Sequence, residues 1–307
     1  MNPILSHKLL LDGCKTNMRQ FRVRHTTSYT YENRVHRSRN LCLQLPRILA
    51  YQRVLQESIR VAPFPEPVCE LSDGLGNRLY DFTVTAGHTY FEVTLDLLLE
   101  IHARTWGEGC ADIQTAQVLQ KDLRKPENLE AAAYMYPSVN VVWNDAIHII
   151  TNPLRKAQLG PHGCAQRIME QIFSEWVFKS GVTNLHTSVN DLLIRKEGVC
   201  QDFSHLMIAA LRDLGIPARY VSGYIETLPK PGMLKLVGAD VSHAWVQAYD
   251  PLAGWKDFDP TNNLIPSEQH ITIAFGRDFT DISPLRGLVS GGGRQTMMVS
   301  VDVAAVG

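Results

Sequence analysis

The amino-acid sequence predicts an α+β protein: an N-terminal antiparallel β-domain, followed by a core in which one helix packs on an antiparallel sheet. Three observations carry that expectation. Apolar and polar residues alternate with a period of two in several stretches between residues 20 and 104, the signature of strands with one buried face. One long apolar run, 200–214, is bounded by a polar segment before it and by Gly215-Ile216-Pro217 after it, as a buried helix is. Strand-like stretches at 218–226, 241–249 and 254–259 then follow that helix.

Taken in order, residues 1–19 form an N-terminal extension and 20–105 a β-sandwich-like domain. Its strands are read at 21–25, 41–46, 80–84 and 91–97, with turn punctuation at 73–77 where Asp73, Gly74, Gly76 and Asn77 cluster. Arg22, Arg24, Arg34, Arg37 and Arg39 alternate with strand residues, so they are read as a solvated strand face. Residues 106–160 form a connector with one or two short helices, punctuated by Pro126, Pro137 and Pro153. Ile168, Ile172, Phe173 and Trp176 repeat at helical spacing and bring a helix into the core, 161–290. Gly291-Gly292-Gly293 lacks the Lys-Ser/Thr helix start of a phosphate loop and reads as a flexible linker before a last strand within 291–307.

Chemistry concentrates at Cys200. It stands where the polar segment Lys196-Glu197-Gly198-Val199 turns into the apolar helix, so the thiol meets unpaired backbone N–H groups and the positive end of the helix dipole. Both favour the thiolate, the nucleophilic form. His243 and Asp259 follow, 43 and then 16 positions downstream, on two strands separated by the turn signal Pro251-Leu252-Ala253-Gly254. Adjacent antiparallel strands would bring imidazole and carboxylate close, with direct opposition depending on register. A lone cysteine at a helix start is ordinarily a small buried hydrophobe. A lone Asp-Pro is ordinarily a turn former whose carboxylate accepts backbone N–H bonds.

The blocks at 198–206, 215–224, 242–245 and 258–262 resemble, in wording and order, the transglutaminase-like cysteine enzymes of bacteria, which share a core with papain-like proteases. The N-terminal stretch is similar to the β-domain that accompanies that core, notably at Tyr29-Thr30-Tyr31, Leu45-Pro46-Arg47 and Gly76-Asn77. The resemblance implies a papain-like core with Cys200 as nucleophile, His243 as general base and acid, and Asp259 as the group that orients the imidazole. It also implies thiol-dependent acyl transfer on a peptide or isopeptide amide through a thioester, with hydrolysis favoured over cross-linking by transamidation. A binding or scaffolding module on the same fold is the competing reading, and the intact Cys200, His243 and Asp259 weigh against it. No cofactor is implied.

Three further residues are candidates for substrate binding or support. Asp202 lies in the first helical turn, where an acid complements the helix dipole. Trp245 shares a strand face with His243 and could shield the imidazole, line a cleft or simply pack in the core. The Tyr224 hydroxyl could donate to an oxyanion or be satisfied by backbone. His205 lies five residues after Cys200, about 140° around a helix of 3.6 residues per turn, and reads as structural. Cys200, His205, His243 and Asp259 could all ligate a metal. The chain nevertheless has neither a C-x-x-C nor an H-x-x-x-H pattern, so no metal is expected.

Composition sets the remaining limits. A chain of 307 residues, 45% hydrophobic and 20% charged, is long enough for two domains with real cores. Its net charge of −1 makes no electrostatic case for nucleic acid or a membrane surface, and the expected partner is the peptide or protein substrate that the resemblance implies. Six scattered cysteines without paired spacing do not read as a disulfide framework. The N-terminus lacks a basic start and a long apolar stretch, so a cytoplasmic protein is expected.

Overall fold

The computed structural model of the chain describes residues 18–120, 126–181, 187–226 and 242–306. The predicted extension, 1–19, lies outside them except for its last two residues. The N-terminal region is an antiparallel sheet of β1 (Met18–Cys42), β2 (Gln52–Ala62), β3 (Cys69–Ser72), β4 (Arg78–Val84) and β5 (His88–His102), in the order β2-β5-β1-β4-β3. Two stretches that read as separate strands, 21–25 and 41–46, are the two ends of β1, which is 25 residues long. Alternation holds along its first half: Phe21, Val23, His25 and Thr27 are buried, while Arg22 and Arg24 point to solvent, as do Arg34, Arg37 and Arg39 further on. The exposed arginines pair across strands, Arg24 with Asp96 at 2.6 Å and Arg39 with Asp81 at 2.6 Å.

The connecting region is helical: α1 (Ile113–Gln120), α2 (Pro126–Ala132) and α3 (His148–Arg155) lead to α4 (Pro161–Glu175). A two-residue strand β6 (Val177–Phe178), helix α5 (Val189–Arg195) and β7 (Glu197–Gly198) follow, with β6 and β7 paired in parallel just ahead of α6 (Cys200–Asp213). Helix α6 is buried at every position from Asp202 to Arg212, the condition of a helix enclosed by protein. It ends in a Schellman motif: Ile216 N–H donates to Leu211 O at 2.9 Å and Gly215 N–H to Arg212 O at 2.9 Å, with Gly215 at φ +75. The second sheet is antiparallel, β10-β9-β8-β11, built from β8 (Ala218–Ile225), β9 (Ser242–Asp250), β10 (Gly254–Phe258) and β11 (His270–Gly276).

The last two strands, β12 (Leu285–Gly291) and β13 (Gln295–Val306), return to the N-terminal sheet and lie along β1. Gly291, Gly292 and Gly293 are therefore not a linker. All three have positive φ and join β12 to β13 opposite residues 32–35 of β1, fixed by Asn33 N–H donating to Gly292 O at 2.9 Å. The β1–β5 pairing breaks at the same place, between Thr30 and Val35. Across this corner Cys42, Phe82 and Val84 pack with Phe91 and Val93 in one apolar cluster.

The two sheets share a core. Phe21, Val23, Leu95, Leu97, Val301 and Val303 of the first belong to the same buried cluster as α6, α4 and the strands β8 and β9. Each fully buried large side chain contributes about 1.5–3 kcal/mol relative to exposure, before chain entropy is counted. The edge strand β11 is also closed by polar groups. The Gln52 carboxamide donates to Thr272 O at 2.7 Å and accepts from Thr272 N–H at 2.8 Å. Asn77 does the same for Phe275, and Arg104 donates to His270 O at 2.7 Å. Side chains of the first sheet thus take the place of a neighbouring strand and fix β11.

Candidate active site

Cys200 is the first residue of α6, and Val199 is its N-cap. Valine has no capping oxygen, and the Val199 N–H is instead taken by Asp202 Oδ2 at 2.8 Å, the acid one turn on. Asp202 is 4% exposed and closes the helix start beneath the thiol. The Cys200 carbonyl accepts from Ser204 Oγ at 2.8 Å. Gly198 lets the chain enter this turn, since a Cβ there would meet Leu192 Cδ1 at 2.8 Å and Asp202 Cβ at 3.0 Å. Cys200 itself is half-buried.

His243 is the second residue of β9 and sits opposite Gly223 of β8. Strand β10 pairs with β9 in the register Phe258↔Val246, so Asp259, one residue further, lies on the same sheet face as His243 and Trp245. The His243 Nε2–H donates to Asp259 Oδ2 at 2.8 Å. The remaining ring nitrogen, Nδ1, is left free, and Cys200 is near enough for its thiol to help raise the His243 pKa. Imidazole and carboxylate, 16 positions apart in sequence, are thus in direct contact, with the Cys200 thiol in their neighbourhood.

The turn-forming and imidazole-facing readings of Asp259 are both realised. Oδ1 accepts the backbone N–H groups of Thr261 at 3.0 Å and Asn262 at 3.2 Å, which shapes the turn. Oδ2 accepts from His243, from Asn262 Nδ2 at 2.7 Å and from His270 Nε2 at 3.1 Å.

The electrostatics follow from this packing. Burial alone presses the His243 pKa down, but the hydrogen bonds to Asp259 and Cys200 and their charges outweigh it and raise it to about 10. Burial pushes Asp259 up, and the two histidine hydrogen bonds reverse that, holding the carboxyl well below the ordinary carboxylate range. His243 is thus favoured as imidazolium beside the thiol, with Asp259 ionised behind it.

The other candidates fall in different places. Trp245 is fully buried and lines no open surface. Its ring lies 6.1 Å from that of His243, inclined to it by 30°, and its Nε1 donates to Asp257 Oδ1 at 2.6 Å. Tyr224 turns away from the set, its hydroxyl held by His25 Nδ1 of β1 at 2.7 Å. His205 accepts from Phe279 N–H at 3.2 Å on the far side of α6.

Sequence reasoning did not find His270, Asn262, Asp257 or Arg104 as parts of the site. Asp257 had a readable signal, since it stands two residues before Asp259 and so shares its face. His270 had none, because β11 was not recognised as a strand and its register is set by Gln52, Asn77 and Arg104. Among the described residues, His243, Asp259 and His270 place one potential ligand atom each within 4.8 Å of one another. Their mutual hydrogen bonds account for that convergence.

Residues 150–260 match the model of the transglutaminase-like superfamily, and residues 21–100 match the bacterial transglutaminase-like N-terminal region. An uncharacterized protein of Mycobacterium leprae is 33% identical over 93% of this chain and 99% of its own length. The protein-glutamine gamma-glutamyltransferase of Pseudomonas aeruginosa is 29% identical over 154 residues, 47% of this chain and 23% of that protein. A solved structure of a candidate cysteine protease from Cytophaga hutchinsonii superposes with a TM-score of 0.76 at 24% identity, over 95% of this chain and 92% of that one, and so shares the fold.

Proposed function

The chain belongs to the transglutaminase-like superfamily and carries its bacterial N-terminal region, and from that premise we propose that it is a thiol-dependent acyl-transfer enzyme acting on peptide or isopeptide amides. The observation that carries the reading is His243 hydrogen bonded to the buried Asp259 at 2.8 Å, with Cys200 at the start of α6 near enough to help raise the imidazole pKa. The thiolate attacks the amide carbonyl carbon, and the carbonyl π electrons move to oxygen. The backbone N–H of Cys200, one of the donors at the start of α6, serves that oxyanion. Collapse of the tetrahedral intermediate breaks the C–N bond as imidazolium passes its proton to the leaving amine, which leaves a thioester on Cys200. His243, now neutral, then takes a proton from the incoming nucleophile, and collapse returns the thiolate. Asp259 keeps the ring aligned throughout and stabilises its cationic form.

Water is the default acceptor and makes the reaction a hydrolysis. Transamidation to a primary amine is the second reading, favoured by the likeness to a gamma-glutamyltransferase. Incubation with a mixed peptide library and a tagged primary amine, read by mass, separates the two. Products gaining the mass of water at a cleaved amide support hydrolysis, and tag incorporation supports transamidation. Neither product, with Cys200 intact and the chain folded, would overturn the acyl-transfer reading. No described helix is long and apolar enough to cross a membrane.

A further inference from the structure

Asp259 is gripped by a second imidazole that the acyl-transfer chemistry does not require. His270 opens β11, is fully buried, and directs Nε2 at Asp259 Oδ2 at 3.1 Å, alongside the His243 bond at 2.8 Å. Because an ionised carboxylate only accepts, both imidazoles must carry their proton on Nε2. His270 Nδ1 is buried and has no hydrogen-bond partner among the described residues. An imidazolium there would bury an unsatisfied N–H next to two cationic groups, His243 and Arg104, so the neutral Nε2–H tautomer fits the site. The charged groups facing this ring are Asp259, His243 and Arg104, and burial and the two cations all press its pKa down.

The ring is also held rigidly. Trp245 packs edge-on against it at 5.1 Å between ring centres, and the Arg104 guanidinium anchors its carbonyl. His270 therefore brings a fixed donor from a strand different from those carrying His243 and Asp259. We propose that His270 is a positioning residue, which by donating from Nε2 locks the Asp259 carboxylate in the orientation that serves His243. The role rests on the acyl-transfer reading for its consequence and on the local geometry for its existence.

Two measurements on the full chain test it. In protein labelled with 15N-histidine, the His270 ring should show a protonated Nε2 and an unprotonated Nδ1 from pH 5 to 8. Titration of His270 in that range, or a proton on Nδ1, would overturn the proposal, whether or not Cys200 is active. The second measurement is the pH profile of Cys200 alkylation in His270→Phe, which keeps a ring, and in His270→Gln, which keeps a donor. Loss of the donor should slow alkylation at pH 6 by roughly tenfold, inside the hundredfold that a misplacement of about 1 Å can cost. It should also move the acid limb of the profile to higher pH, because Asp259 becomes easier to protonate. His270→Gln should retain most of the rate and the original limb. A Phe variant with the natural profile, or a folded Gln variant that falls as far as the Phe variant, would overturn the role. If His270→Phe does not fold, the folded Gln variant and the tautomer decide. A natural chain whose Cys200 alkylates no faster than an ordinary thiol fails the acyl-transfer reading alone, and the ring tautomer still decides His270.

Discussion

Asn77 and Phe275 are joined as two strands would be: the Asn77 carboxamide donates to Phe275 O at 2.7 Å and accepts from Phe275 N–H at 2.8 Å, across 198 positions of sequence. Asn77 is fully buried. Asp73 Oδ2 accepts its second amide hydrogen at 2.9 Å, so the carboxamide has one orientation. Replacing it by leucine leaves the Phe275 N–H and C=O without partners in a buried edge. Asn77→Leu should cost roughly 1–3 kcal/mol for each orphaned group. Urea unfolding should show a lower midpoint at an unchanged slope, and an unchanged midpoint would mean that β11 is held by packing alone.

A buried ion pair supports the site from below. Arg104 Nη1 lies 2.8 Å from Asp257 Oδ2, with side chains 1% and 0% exposed. Asp257 also accepts from Trp245, which packs against His243, and from Gln247 at 3.1 Å. Arg104→Met would remove the guanidinium that lies 4.1 Å over the Tyr51 ring and strand the carboxylate in the core. The expected loss of stability is about 3–5 kcal/mol, the usual cost of breaking a buried pair from one side. Double replacement with Asp257→Asn should recover part of it, and strictly additive effects would show that the two charges do not act as a pair.

How much of this was legible in the sequence depends on which interactions are local. The start of α6 at Cys200 and its stop at Gly215 were readable, because a polar-to-apolar switch and a left-handed glycine act within a few residues. Strands β8, β9 and β10 were readable from composition and turn residues. The site was legible as three residue types in family order, whereas their contact depends on the Phe258↔Val246 register, which no local pattern encodes. His270 was illegible for a related reason. Strand β11, His-Ile-Thr-Ile-Ala-Phe-Gly, is buried along its whole length and shows no alternating pattern of exposure, and its alignment comes from side chains some 170 to 220 positions away. The glycine triplet misled because flexibility and positive φ share one composition, and only the partner strand β1 distinguishes them.

The thiols should separate by reactivity. Burial pushes Cys42 up to about 12, and Cys110 and Cys164 up to about 11. Cys69 is exposed, and serves as a control for access without activation. Iodoacetamide at pH 6–7 should therefore modify Cys200 before the other described thiols, and His243→Ala should slow that reaction specifically. Peptide mapping by mass checks both. Labelling of Cys69 at the rate of Cys200 would count against activation.

Substitutions in the set should be graded. Cys200→Ala should abolish turnover while leaving the melting transition close to that of the natural chain, since the residue is only half-buried. Asp259→Asn keeps the shape of the turn but removes the charge that favours imidazolium, and should lower the rate by something on the order of 10²–10⁴-fold. Initial rates on a peptide amide check the order. Asp259→Asn with undiminished turnover would remove Asp259 from the set.

The raised His243 and depressed Asp259 also make stability depend on pH, with opposite signs. A group raised in the folded state contributes fully below its unfolded value, 6.5 for histidine, and loses that contribution as pH climbs toward the folded value, about 10 here. A depressed carboxyl contributes fully above its unfolded value, 3.8 for aspartate, and loses the contribution as pH falls below that. The set therefore stabilises most between about pH 4 and 6.5. The penalty of His243→Ala should be largest in that window and should shrink steadily from pH 6.5 to 10. His25 and His205, each driven down to about 4 by burial, have the opposite sense, yet they are present in both proteins and cancel in the difference. Denaturation midpoints of the two proteins measured in parallel give that difference directly. A penalty independent of pH from 6.5 to 10 would mean that His243 is neutral in the folded chain, and that the thiol has no cationic neighbour.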